Sequence, residues 1–210
     1  AIIAAWPQPS AAQTPIKFRL QSSFPPSSSV MDGIKVWAER VKTMAGNKID
    51  IEVLPAGTVV PAFEVLDAAH KGVIDAGFTA AAYWTGKHRA AALMSPTPGG
   101  PFGMDEMDMM GWFHTAGGLE LYNELYQKEL KRNIVVIPVV AVGNQVFGWF
   151  KTPVKSWEDL KGRKCRQTGL TAEVFSKAGM NPVNMPGGEI VPAAERGVIE
   201  CAEWSSPADD

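Results

Sequence analysis

The chain has 210 residues, 46% of them hydrophobic and 20% charged, with a formal net charge of −2. That size and balance suit one large domain or two lobes with a real core, and they leave no basic field to hold nucleic acid. Two cysteines, Cys165 and Cys201, are too few for a disulfide-stapled scaffold; they can pair only if their strands are neighbours.

Residues 1–13 are apolar, then broken by proline, then small. They read as the remnant of a secretory signal peptide cleaved after Ala12, or as a disordered terminus. No later stretch approaches the ~20 uninterrupted apolar residues of a membrane span. Residues 16–21 alternate apolar and charged and predict a first strand. A Ser/Pro loop follows, and Ser29 with Asp32 offers a capping pattern. The helix it opens is expected to bury Val30, Ile34, Trp37, Val41 and Met44 and to stop at Gly46. Residues 48–54 predict a second strand, 63–71 a helix, and 73–78 a third strand. This βαβαβ order marks a parallel sheet covered by helices.

Residues 79–103 form a long Ala/Gly/Pro-rich loop that contains Tyr83 and Trp84, and loops of that length are often functional. Residues 105–132 predict two helices broken near 116–118. The methionines at 104, 107, 109 and 110 are expected to fill a core. Residues 134–142 predict a buried strand and 145–150 an extended apolar segment. A helical turn at 157–160 precedes a strand at 164–166.

The second half repeats the first. Glu64, Ala68, Ala69, Gly72, Val73 and Ile74 answer Glu189, Ala193, Ala194, Gly197, Val198 and Ile199. Leu54-Pro55-Ala56-Gly57 answers Met185-Pro186-Gly187-Gly188, and Lys17-Phe18-Arg19 answers Lys164-Cys165-Arg166. Several matches in one order imply two similar parallel α/β lobes. The predicted architecture is therefore an α/β, two-lobed periplasmic-binding-protein-like fold with parallel-rich sheets. Lobe one spans 14–142 and lobe two 143–210, the latter truncated.

Open parallel sheets bind ligands beyond the carboxyl ends of their strands, so two facing lobes define a cleft that closes by a hinge. Arg166 ends a strand just before a helix start and suits a carboxylate, the fork of its guanidinium matching two oxygens. An ordinary surface pair with Glu158 or Asp159 is the other reading. Glu203 and Trp204 end the third strand of the same lobe. With Gln145 they offer carboxylate, carbonyl and amide oxygens to a hard cation; a plain Glu203–Arg166 pair fits equally. His70, His88 and His114 have no metal-ligand spacing, neither cysteine has a histidine neighbour, and no Gly-x-Ser-x-Gly elbow occurs.

Gly143-Asn144-Gln145, Trp157-Glu158-Asp159-Leu160-Lys161-Gly162, Lys164-Cys165-Arg166, Met185-Pro186 and Glu203-Trp204 together resemble the extracytoplasmic solute receptors of TRAP transporters, the DctP-type family. The likeness is nearest to the metal-dependent branch that takes 2-oxo acids or lactate, and it runs from residue 16 to residue 210. The resemblance implies a periplasmic receptor, not an enzyme, which delivers a small carboxylate such as pyruvate to the transporter's membrane subunits. It implies that Arg166 grips the carboxylate and that Gln145 touches both acid and cation. Asn144 and Tyr83 add hydrogen bonds, while Gln145, Glu203 and the Trp204 backbone hold the cation, sodium ahead of calcium. Family members continue past this point with returning strands, a further cation ligand and a long helix that pairs protomers. The sequence is accordingly expected to be a fragment, and a homodimer is expected only where that helix exists. A receptor for another organic acid, or an α/β enzyme acting on a small carboxylate, is the alternative.

Overall fold

The structure is a computed structural model, and it describes residues 14–95, 104–140 and 145–205. In the first sheet β1 (Ile16–Ser22) lies between β2 (Ile49–Leu54) and β3 (Ala76–Phe78), parallel to both. The crossovers are α1 (Ser29–Met44) and α2 (Val65–His70). In the second sheet β5 (Lys164–Arg166) lies between β6 (Asn181–Val183) and β7 (Cys201–Ala202), again parallel to both. Its crossovers are α5 (Gly169–Lys177) and α6 (Gly187–Glu195). The order β2-β1-β3 thus recurs as β6-β5-β7, and the internal repeat read from sequence is a repeat of topology. A short β4 (Trp149–Phe150) adds an antiparallel edge to β7.

The first sheet is anchored where it meets the cleft. Gln21 is fully buried at the end of β1. Its Oε1 accepts from the Val59 and Val60 amides at 2.8 and 3.0 Å, and its Nε2 donates to the Val60 carbonyl at 2.7 Å. Ser23 donates to the Ala62 carbonyl at 2.6 Å. Buried polar groups satisfied in this way fix one backbone path, and the path leads directly to Phe24. Over this lobe lie α3 (Glu106–Thr115), capped by Asp105, and α4 (Gly118–Glu124), which runs on as a π-turn over Leu125–Glu129. The two helices break at Gly117, whose φ is +83°. They bury Phe113, Tyr122 and Tyr126 against Trp84.

Three expectations change. The buried stripe of α1 is Met31, Ile34 and Ala38, while Trp37 and Met44 face outward; the stripe is rotated by about one residue because Met31 packs with Leu20 and Phe78. Of the methionines, Met109 is buried and Met104 and Met110 pack against the same core, but Met107 is exposed. The segment 134–140 joins no sheet. Asn123 exchanges hydrogen bonds with both backbone groups of Val136, and Gln127 donates to the Ile134 carbonyl. Side-chain amides take the place of a partner strand, so only alternate residues are covered and Val135 and Ile137 stand exposed. The predicted lobe boundary at 142/143 and the predicted signal remnant at 1–13 lie outside the described residues.

Candidate functional site

Arg166 is the residue the second lobe is built to hide. Along β5 the side chains alternate. Cys165 enters a core with Leu160, Phe175 and Met180, so Arg166 projects from the opposite face, and it is only 1% exposed. A buried guanidinium requires full pairing. Its Nε donates to the Met185 carbonyl at 3.2 Å, and its Nη1 donates to the Glu203 carbonyl at 2.6 Å and to Glu203 Oε2 at 3.4 Å. The Trp204 ring lies 5.0 Å from the guanidinium carbon, a cation–π distance. Neither surface acid takes part. Asp159 accepts from the Lys155 and Ser156 amides, and Glu158 pairs with Lys161.

Glu203 follows β7 and is 5% exposed. Cys165 and Cys201 are register partners joined by a disulfide on the far side of the sheet, which ties together the two strands that carry Arg166 and Glu203. Gln145 donates from Nε2 to the Trp204 carbonyl at 3.2 Å, so its carboxamide and that carbonyl stand side by side next to Glu203. The first lobe contributes Tyr83. Burial pushes its phenol up to about 12; the Arg166 charge and the hydrogen bond that Arg166 donates to it pull the other way, and Glu203 adds to the rise. The hydroxyl therefore keeps its proton near neutrality and can donate it.

Tyr83, Gln145, Arg166 and Trp204 line one cavity of about 450 Å³ between the lobes, with Phe24 and Thr168 among its other walls. The lobes touch across it. Phe24 meets Trp204 edge-on at 5.8 Å, and Arg89 pairs with Glu173 at 2.8 Å. Of the residues singled out from sequence, Tyr83, Gln145, Arg166, Glu203 and Trp204 come together; Asn144 lies outside the described residues. His70 and His88 accept backbone hydrogen bonds from Asn133 and Ala90. No group of three or more His, Cys, Asp or Glu gathers among the described residues. Sequence reasoning missed the Met185 carbonyl and Gly187. The Met-Pro-Gly-Gly run was visible as a repeat match and its Met-Pro as part of the family resemblance, but nothing in it tells where a carbonyl points.

Residues 20–209 match the family model described as bacterial extracellular solute-binding protein, family 7. A monocarboxylate 2-oxoacid-binding periplasmic protein of Nostoc sp. (strain PCC 7120) is 36% identical over 195 residues, covering 93% of this chain and 52% of that protein. A TRAP transporter solute-binding protein from Bordetella bronchiseptica RB50, a mixed-occupancy dimer with calcium and picolinate in one site, superposes with a TM-score of 0.87 at 32% identity. That match covers 94% of this chain and 57% of the other. A TRAP periplasmic solute-binding protein from Pseudoalteromonas atlantica T6c with bound sodium and pyruvate gives 0.84 at 32% identity, over 94% and 58%. The chain spans little more than half the length of these relatives.

Proposed function

The chain belongs to the bacterial extracellular solute-binding proteins of family 7, and from that premise we propose that it is a receptor for a small 2-oxo monocarboxylate. The acid is held beside a hard cation between the two lobes and passed to a TRAP-type membrane transporter. Binding, not turnover, is its task. The observation that carries the reading is Arg166, almost wholly buried in an interlobe cavity and aimed at that cavity by a carbonyl on each side. A guanidinium fixed in this way offers a carboxylate charge and fork geometry at little further ordering cost.

The donor set fits a cation. Glu203 supplies a carboxylate, Trp204 a carbonyl, and the adjacent Gln145 an amide oxygen once the carboxamide turns over; its O and N ends are interchangeable by rotation. All three are hard oxygen donors, with one formal negative charge among them, and sodium suits that low charge better than calcium. When bound, the cation neutralises Glu203 and so lets an anion approach it. Tyr83, with its proton retained, donates to the acid, and Asn144 is assigned a second hydrogen bond. Relatives of the same family carry pyruvate with sodium and picolinate with calcium, which supports this reading. The cavity, about 450 Å³, lies within the ~300–1,000 Å³ typical of small-molecule pockets, so 2-oxo acids longer than pyruvate belong to the same class of candidate.

Export through residues 1–13, a lobe boundary at 142/143 and pairing of protomers only where the family's long C-terminal helix exists complete the proposal. Calorimetric titration of the purified protein with pyruvate and longer 2-oxo acids, in sodium-free buffer after dialysis against chelator and again with sodium or calcium restored, tests it. Binding heat that depends on the cation is expected. Silence toward every 2-oxo acid in both conditions ends the reading.

A further inference from the structure

Gly187 opens α6 with an ordinary helical backbone, and it has no positive φ to explain it. Its reason is the neighbour. A Cβ built on Gly187 would lie within 3.0 Å of Cη2, Cζ2 and Cζ3 of Trp204, the outer ring of the indole. At Gly188, one residue on, a Cβ would meet only Pro25 at 3.7 Å, an ordinary contact. The indole therefore lies flat on the first residue of α6, pinned there by Phe24 from the other lobe.

Two routes run from this contact to the site. Trp204 stacks on Arg166 and presents its carbonyl to Gln145. Two residues before Gly187, the Met185 carbonyl receives the Arg166 Nε. A methyl group at 187 must push back either the indole or the turn, and both displacements arrive at Arg166.

We propose that Gly187 is a positioning residue for the acid and its cation: it is the seat on which Trp204 rests, and it accepts no side chain. This rests on the receptor reading above. Helix propensity alone makes Gly→Ala favourable within a helix, so a loss at 187 beside a gain or no change at 188 isolates the contact. Overpacking a tight site on this scale is expected to weaken pyruvate affinity by about tenfold or more.

The experiment compares Gly187→Ala and Gly188→Ala in the whole chain, each also in a Trp204→Phe background, whose shorter ring no longer reaches position 187. Pyruvate affinity is measured with sodium present. The fluorine spectrum of 5-fluorotryptophan-labelled protein is recorded without pyruvate, the Trp204 signal among the seven tryptophans being the one lost in Trp204→Phe. The proposal expects Gly187→Ala to lose affinity and move the Trp204 signal, Gly188→Ala to do neither beyond about twofold, and the 187 effect to shrink within about twofold when Trp204 is Phe. An unchanged affinity and signal in Gly187→Ala, or an equal loss in the Phe background, overturns it. If Gly187→Ala does not fold, recovery of folding in the double variant supports the contact, and a double variant equally unfolded refutes it. Wild-type protein that binds no 2-oxo acid overturns the receptor reading and the role given to Gly187 together, whereas wild-type binding with an indifferent Gly187→Ala overturns this inference alone.

Discussion

The Nη1 of Arg166 donates to both the main-chain and the side-chain oxygens of Glu203, at 2.6 and 3.4 Å, with both residues out of water. Removing one member of such a pair leaves the other charge buried and costs about 3–5 kcal/mol. The two members are expected to fail differently. Arg166→Ala should abolish acid binding and lower the urea midpoint. Arg166→Lys keeps a charge but loses the fork, so it should recover stability without full affinity. Glu203→Gln keeps the shape, loses the counter-charge, and should bind acid with no response to the removal or return of sodium and calcium. A cation response surviving in Glu203→Gln would remove the cation from this place.

Arg166 and Glu203 were legible in the sequence because each closes a short strand, Lys164-Cys165 leading into Arg166 before a helix start and Cys201-Ala202 leading into Glu203 before a tryptophan. The duplication was legible for the same reason, and it yielded the recurring strand order. Contacts that depend on rotation or on the chain's neighbours were not. The stripe of α1 turned by one residue because Met31 is buried with Leu20, Ile34 and Phe78 while Val30 only packs at the edge of that cluster. The run 134–140 is a continuous apolar stretch of strand composition, yet its backbone partners are Asn123 and Gln127, and no periodicity encodes those. Gly187 beneath Trp204 joins positions seventeen residues apart in a way that only a folded β7 creates.

Cys165 and Cys201 bridge neighbouring strands 36 residues apart in sequence. Closing a loop of that size removes chain entropy from the unfolded state worth about 4 kcal/mol. Reduction, or paired replacement by alanine, should therefore lower unfolding stability by about 2–4 kcal/mol. Because the cross-link ties the strands that carry Arg166 and Glu203, acid affinity should fall as well. Urea unfolding with and without reductant reads the first effect, and calorimetry well below the unfolding midpoint reads the second. Equal midpoints in both redox states would show that the pair adds nothing to the fold.

Burial raises the phenols of Tyr83 and Tyr122 from 10.0 to about 12. It raises that of Tyr126 further, with Tyr122 adding to the rise. The unfolded chain loses these protons from about pH 10 while the folded chain keeps them, so the folded state binds more protons in that window and stability falls as pH rises. Stability should be unaffected by these groups below pH 10 and decline from 10 to about 12, by about 3 kcal/mol for Tyr122 alone. Tyr122→Phe should flatten the decline by one proton's worth of slope. Urea midpoints taken across that range decide the matter, and parallel slopes in variant and wild type would contradict it.

The lobes meet at two further points whose strengths differ. Arg89 and Glu173 form a 2.8 Å pair, but their side chains are 80% and 50% exposed, and such pairs contribute about 0–1 kcal/mol and are screened by salt. Gly169 stands at φ +61°, and a Cβ there would come within 3.3 Å of the Ala82 side chain in the other lobe. Alanine at 169 must adopt a left-handed backbone at a cost of about 1–2 kcal/mol and also crowd the interlobe contact. Gly169→Ala is therefore expected to weaken acid affinity and enlarge the radius of gyration in small-angle scattering, in low and high salt alike. Glu173→Arg should do so weakly and only in low salt. The reverse ranking, with the charge pair dominating at high salt, would mean that the lobes are held by electrostatics and not by the close approach of their backbones.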